Sequence, residues 1–222
     1  ARNIIERSRD SVMDFLGLDE GTIIFTSGAS ESAALFLHDK KMECSAIEHD
    51  CVKKWCNVSI PVLRNGLVSL TSSKNNIAMQ IANSETGILQ EVPQGIACTD
   101  AVQAVGKVDC SFREMRPQAL FLASHKVCGP KGVGVLFVKD ENLIEPTVLG
   151  GNQEFGLRAG TENFVLIAAF VEALNYSLNL VEKGVWQEIE ILRNMLENEI
   201  KEISKTTIIV GEKEKRLPNT SC

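Results

Sequence analysis

The sequence lacks any Cys-x-x-Cys pair, and its three histidines, His38, His49 and His125, are far apart. A structural zinc site needs closely spaced thiolate and imidazole ligands, so none is expected. The seven cysteines, at positions 44, 51, 56, 98, 110, 128 and 222, are odd in number and scattered. That pattern excludes a fully paired disulfide framework and reads as the reduced thiols of a cytoplasmic protein, although an organelle matrix would look the same. No run approaches the roughly 20 apolar residues of a membrane span. The longest, Phe164 to Val171, stops at Glu172 and reads as a buried helix or strand. Basic excess is missing too: 23 Lys and Arg against 29 Asp and Glu give a net charge of −6, which argues against nucleic-acid or anionic-membrane partners. There is no signal-peptide pattern, and the chain opens on Ala1 rather than Met, as expected of a fragment.

What remains is ordinary globular composition: 222 residues, 44% hydrophobic and 23% charged. This suits one large domain or two small ones, with a core that needs no disulfides. Helical spacing covers 3–16. Strands are expected at Thr22 to Thr26, Val68 to Leu70, Ile77 to Ala82, Leu120 to Ala123, Gly134 to Val138 and Thr206 to Val210. A polar loop from Gly150 to Gly160 leads into a helical region, 162–182. A second helix follows, with Val185, Ile189, Leu192, Leu196, Ile200 and Ile203 on one face. Mixed short strands and helices favour an α/β fold, with a boundary near Val181 to Gly184.

Four short motifs carry chemistry. Ser27-Gly28-Ala29-Ser30-Glu31-Ser32 follows a strand and opens a helix, so its free N–H groups and the hydroxyls of Ser30 and Ser32 suit a phosphate; the alternative is an ordinary N-cap. Ser124-His125-Lys126 follows an apolar strand and precedes Gly129-Pro130-Lys131-Gly132. A lysine there can form a Schiff base with an aldehyde, whereas Lys131 fits a surface loop. Asp100, with Gln103 three residues on, can pair with a protonated pyridine nitrogen or simply cap a helix. His49, after Glu48, can stack on an aromatic ring and move protons, or be a loop histidine with satisfied hydrogen bonds.

In this order the motifs resemble the cysteine desulfurases of the class V aminotransferase family. The likeness runs through Ile24 to Ser32, Glu48-His49, Ala82-Asn83-Ser84-Glu85-Thr86-Gly87 and Asp100 to Lys107. It continues through His125-Lys126 with Gly129 to Gly134, and Gly150-Gly151 with Gly156 to Asn163. The resemblance implies a pyridoxal 5'-phosphate enzyme with an aminotransferase-like large domain, its mixed, mostly parallel sheet flanked by helices, over residues 1–182. The start of a small α+β C-terminal domain, cut short, would occupy 183–222. Lys126 would bind the cofactor's aldehyde, His49 would stack on its ring, Asp100 would hold the ring nitrogen protonated, and Gln103 would contact the ring hydroxyl. Ala29, Ser30 and His125 would line the phosphate, and Thr161 would reach the phosphate of a neighbouring subunit in a homodimer. The implied reaction takes sulfur from L-cysteine, leaving alanine and an enzyme persulfide for iron–sulfur cluster assembly or tRNA thiolation, handed to a sulfur-acceptor or scaffold protein.

Three positions depart from the family pattern. Ser84 stands where a longer Asn contacts the ring hydroxyl. Ala123 stands where a Ser binds phosphate, with Ser124 beside it either compensating or pointing away. Phe155 replaces an Arg. The connections at 38–48, 56–82 and 90–99 are shorter than in the family, and its sulfur nucleophile and carboxylate-binding Arg would fall beyond Cys222. Cys128 and Cys222 read as buried structural thiols. Alternatives are another class V enzyme, such as an aminotransferase or selenocysteine lyase, and a non-catalytic scaffold.

Overall fold

A computed structural model describes residues 1–70 and 74–222. Helix α1 (Arg2–Leu16) buries Ile5, Val12 and Leu16 and ends at Gly17, whose left-handed φ of 64° closes the last turn. Strand β1 (Thr22–Thr26) runs into α2 (Ala29–Leu37). Short β2 (Glu43–Ser45), α3 (Asp50–Lys53) and β3 (Asn57–Ile60) follow, then β4 (Ala78–Gln80), β5 (Cys98–Asp100), α4 (Phe112–Met115), β6 (Ala119–Ala123) and β7 (Gly134–Val138). Two long helices, α5 (Phe164–Glu182) and α6 (Val185–Ile203), complete the order.

The main sheet has the order β1-β7-β6-β5-β4. The β4–β5 and β5–β6 pairs are parallel, and β7 runs antiparallel to both β6 and β1. Four strands therefore point one way and β7 the other, the expected mostly parallel mixed sheet. Alternation along each strand feeds two cores. Ile23, Phe25, Leu120, Leu122, Val135 and Phe137 face α1 and α5. Ile24, Ala119, Phe121, Leu136 and Val138 face α2 and α3. β2 and β3 form a separate parallel pair that touches the main sheet through one bridge, Glu43 to Ile77. Parallel neighbours are usually joined across a helix. Here β4 reaches β5 through residues 81–97 with no helix, and this segment makes two bridges, Ala82 to Leu89 and Ile88 to Arg216.

Several expectations need correction. Val68 to Leu70 is loop with a single bridge, Val62 to Val68. Thr206 to Val210 is not a strand, because among the described residues no ladder partner lies beside it; the Val210 N–H instead donates to the Cys222 carbonyl at 2.8 Å. On α6 the expected apolar face is largely solvent-facing, with Leu192 at 59%, Leu196 at 55% and Ile203 at 85% exposed. The side that is covered is polar: Glu197 pairs with Arg216 at 2.7 and 2.8 Å, and Arg193 donates to the Leu217 carbonyl at 2.7 Å. By length and composition α5 is apolar enough to cross a membrane, but Phe170 and Leu174 are fully buried in the core it shares with α1. Cys128 and Cys222 are both exposed, not buried.

Candidate active site

A cavity of about 570 Å³ opens beyond the C-terminal ends of β1, β4, β5 and β6. Ligands in open α/β sheets collect at that edge. Its lining includes Ala29, Ser30, His49, Ser84, Asp100, Gln103, Ala123, His125 and Lys126. Residues spread over nearly a hundred positions thus share one space.

Each is placed by local structure. The N-terminus of α2 presents Ala29 and Ser30, and the Glu31 carboxylate fixes the turn by accepting from the Ser27 N–H at 2.7 Å and pairing with Arg158 at 2.6 Å. His49 caps α3: its Nδ1 accepts the Cys51 N–H at 3.1 Å, so the neutral ring carries its proton on Nε2. Asp100 ends β5 and is buried, with Oδ1 accepting from the Val102 N–H at 2.9 Å. Both readings of Asp100 therefore hold, as turn cap and as cavity carboxyl. Burial raises its pKa to about 6, opposed by the Val102 N–H and by His49 when that ring is protonated. Lys126 closes the tight turn after β6, whose Val127 carbonyl accepts from buried Ser177 on α5 at 2.9 Å.

Two expected residues lie elsewhere. Ser124 does not line the cavity. It is fully buried with Oγ unpartnered, and that oxygen occupies the space beside Gly129, where a Cβ would sit 2.2 Å away. The hydroxyl missing at Ala123 is therefore not replaced by its neighbour. Thr161 lines a second cleft with Arg2, Glu6, Arg9 and Phe155. Ser32 is also unavailable as a phosphate donor, since its Oγ lies 2.7 Å from Thr26 Oγ1 in the core. In the second cleft the Phe155 ring stacks on the Arg9 guanidinium, 4.8 Å from centroid. An Arg at 155 would bring two cations together there, so the Phe is locally consistent.

The lining also holds Cys51, Gln80 and Lys131, which the sequence did not single out for it. Lys131 is exposed, as read, yet faces this space; its charge, after burial and that of Lys126, helps lower the pKa of His125. Cys51 is pushed up to about 12 by burial and then by the charge of Asp100.

The cofactor implied by the resemblance can be tested against these groups. Among the described residues, no Lys or Arg pairs with Asp100, so a buried carboxyl faces the cavity with only the His49 imidazole as a nearby group that can carry positive charge. A pyridinium nitrogen is the partner that chemistry calls for. The α2 N-terminus, His125 and Lys131 suit a phosphate, and Lys126 an aldehyde. The residues fit pyridoxal phosphate.

Comparison with known proteins agrees. Over 214 residues the chain is 35% identical to a probable mitochondrial cysteine desulfurase of Dictyostelium discoideum, covering 80% of this chain and 48% of that protein. Over 251 residues it is 31% identical to the cysteine desulfurase NifS of Azotobacter vinelandii, covering 98% and 62%. The chain thus spans between about half and two thirds of these relatives' lengths. A NifS-like protein from Rickettsia africae superposes with a TM-score of 0.90 at 26% identity, covering 99% of this chain and 69% of that one. With the aminotransferase class-V family matching from residue 1 to residue 222, over the same strand ends that build the cavity, the chain belongs to that family.

Proposed function

We propose that this chain is the cofactor-binding part of a pyridoxal-phosphate-dependent cysteine desulfurase. The observation that carries this is the meeting in one cavity of an amine, Lys126, a buried carboxyl with no Lys or Arg partner among the described residues, Asp100, and an imidazole with its Nδ1 tied back, His49. Cysteine as substrate is supported by the NifS likeness and by SspA in complex with cysteine, 31% identical with a TM-score of 0.68, covering 78% of this chain and 60% of that one. Bound pyridoxal phosphate would supply an electron sink for the substrate's α-carbon.

The chain's own residues do the rest. Lys126 supplies the amine that captures the aldehyde. Asp100, ionised above about pH 6, would hold a proton on the ring nitrogen. His49 would lie against the ring with its own proton on Nε2, and Gln103 would reach the ring hydroxyl, while the Ser84 hydroxyl turns to Glu85. Ala29, Ser30, His125 and Lys131 would hold the phosphate. Cys51 lines the cavity, but burial holds it as a thiol at neutral pH, which makes it a poor attacking group.

Thr161 would serve the phosphate of a second copy in a homodimer, a reading supported by exposed apolar residues near its cleft: Phe155 at 54%, Phe164 at 39% and Val165 at 60%. Helix α6 would open a second unit over 183–222, consistent with its uncovered apolar face. The reduced thiols suit a mitochondrial matrix, where the Dictyostelium relative is named, as well as a cytoplasm. Ala123 and the short Ser84 favour the non-catalytic scaffold as second reading. One experiment separates them. Purified protein given pyridoxal phosphate should turn yellow and lose the colour in Lys126→Ala, and the whole protein should release sulfide and alanine from cysteine. Absence of cofactor uptake sinks the enzyme reading.

A further inference from the structure

Lys107 is a buried lysine whose hydrogen-bond partners, among the described residues, are both on Gln103. Its Nζ donates to the Gln103 carbonyl at 2.8 Å and to Gln103 Oε1 at 3.0 Å. An ammonium has donors and no acceptor. The Gln103 amide must therefore turn its oxygen to Lys107, leaving the Nε2 hydrogens for the cavity that Gln103 lines. The turn that carries both residues is held on its far side. A Cβ on Gly106 would lie 2.7 Å from Ser177 Cβ, and Trp186 Nε1 donates to the Gly106 carbonyl at 2.7 Å. Ser84, meanwhile, directs its hydroxyl at Glu85 Oε1, 3.4 Å away, which leaves Gln103 as the donor aimed inward.

We infer that Lys107 is a positioning residue: it locks the Gln103 amide so that the site offers a hydrogen-bond donor, and no acceptor, to an anionic ring oxygen. The inference rests on the proposed cofactor site. The groups whose charges act on Lys107 are Lys126, Cys128 and Cys110, with no carboxylate paired to it among the described residues. Burial, then the Lys126 charge, lower its pKa to about 8, so it remains mostly ammonium at neutral pH. A fixed donor favours the ionised form of the ring oxygen, and this lowers the pH at which the bound cofactor changes its visible absorbance.

The test loads the full chain with pyridoxal phosphate and follows visible absorbance against pH, with cofactor affinity measured separately. Lys107→Met should raise the absorbance midpoint by about one pH unit. Lys107→Arg, which keeps the donor and the charge, should restore it. Gln103→Met should give the same rise, and the double variant no more than either single one. Should Met not be accommodated, Lys107→Gln gives the same reading, because its own amide can flip and free that of Gln103. An unmoved midpoint with merely weaker binding would overturn the inference, since Lys107 would then only support the fold. So would an equal shift from Lys107→Met in the Gln103→Met background, which would mean that its charge acts directly. If the unaltered chain takes up no cofactor, the proposed function itself fails; cofactor uptake with an unmoved midpoint sinks the positioning role alone.

Discussion

Arg9 Nη1 lies 2.6 Å from Glu154 Oε2, and the two side chains are only 9% and 1% exposed. The same carboxylate oxygen accepts the Phe25 N–H at 2.9 Å. One charge pair therefore joins α1, β1 and the glycine-rich loop leading to Thr161, and it holds Glu154 in a left-handed conformation at φ 47°. Removing Arg9 strands the Glu154 carboxylate in a dry site, which costs about 3–5 kcal/mol, whereas Arg9 without Glu154 keeps its 3.5 Å contact with Glu6. Arg9→Met should lose stability on that scale by urea denaturation, and Glu154→Leu combined with it should lose less than the sum of the single changes.

Asp100 carries a cost in the empty protein. Its carboxyl is raised by burial from 3.8 to about 6, so the folded chain disfavours the ionised form. The unfolded chain releases that proton first as pH rises, so stability falls between about pH 4 and 6 and stays lower above, by about 3 kcal/mol at 1.36 kcal/mol per unit. Asp100→Asn should then melt higher than the unaltered protein at pH 8 without cofactor, and equal it at pH 4. The same variant should bind pyridoxal phosphate more weakly at pH 8, since a neutral amide cannot hold the ring nitrogen protonated. A variant that melts lower at pH 8 would contradict this account.

Ala123 sits on the cavity wall at the end of β6 without a hydroxyl, and Ser124 points into the core instead. Ala123→Ser should tighten pyridoxal phosphate by about 1 kcal/mol, the worth of one added hydrogen bond. Pyridoxal, which lacks the phosphate, should bind no better. Equal gains for both ligands would place the new hydroxyl away from the phosphate.

What the sequence revealed depended on how local the cause was. β1 and β7 follow from apolar runs of strand length next to small residues, and both appear with the expected bounds. The cavity set was legible mainly through the family resemblance: Ser30, His49, Asp100 and Lys126 carry local signals that an ordinary cap or loop would also explain, and Ala29, Ser84 and Ala123 carry none of their own. Ser124 was not resolved, because the direction of one side chain in a tight turn depends on Gly129 across from it. The face of α6 misled for a related reason: its apolar period is real, but long-range polar pairs, Glu197 with Arg216 and Arg193 with Leu217, decide which side is covered. Arg9 and Glu154 are far apart in the chain and no local pattern links them.

Gly134 offers the sharpest packing test of the site. It opens β7 and is paired on both sides, with Thr26 of β1 and Ala123 of β6. A Cβ there would lie 2.6 Å from Gly28 Cα, 2.7 Å from its carbonyl carbon and 2.8 Å from the Leu122 oxygen. All three are backbone atoms, so no side-chain rotation can relieve the clash, and overpacking of this kind costs about 1–3 kcal/mol. The part freest to yield is the Gly28 turn, which is not clamped in a sheet and which carries the N–H groups of Ala29 and Ser30. Gly134→Ala should therefore lower the denaturation midpoint and also weaken pyridoxal phosphate more than it weakens pyridoxal, because the phosphate end moves. Equal weakening of the two ligands would mean that the strain spreads through the sheet rather than into the α2 N-terminus.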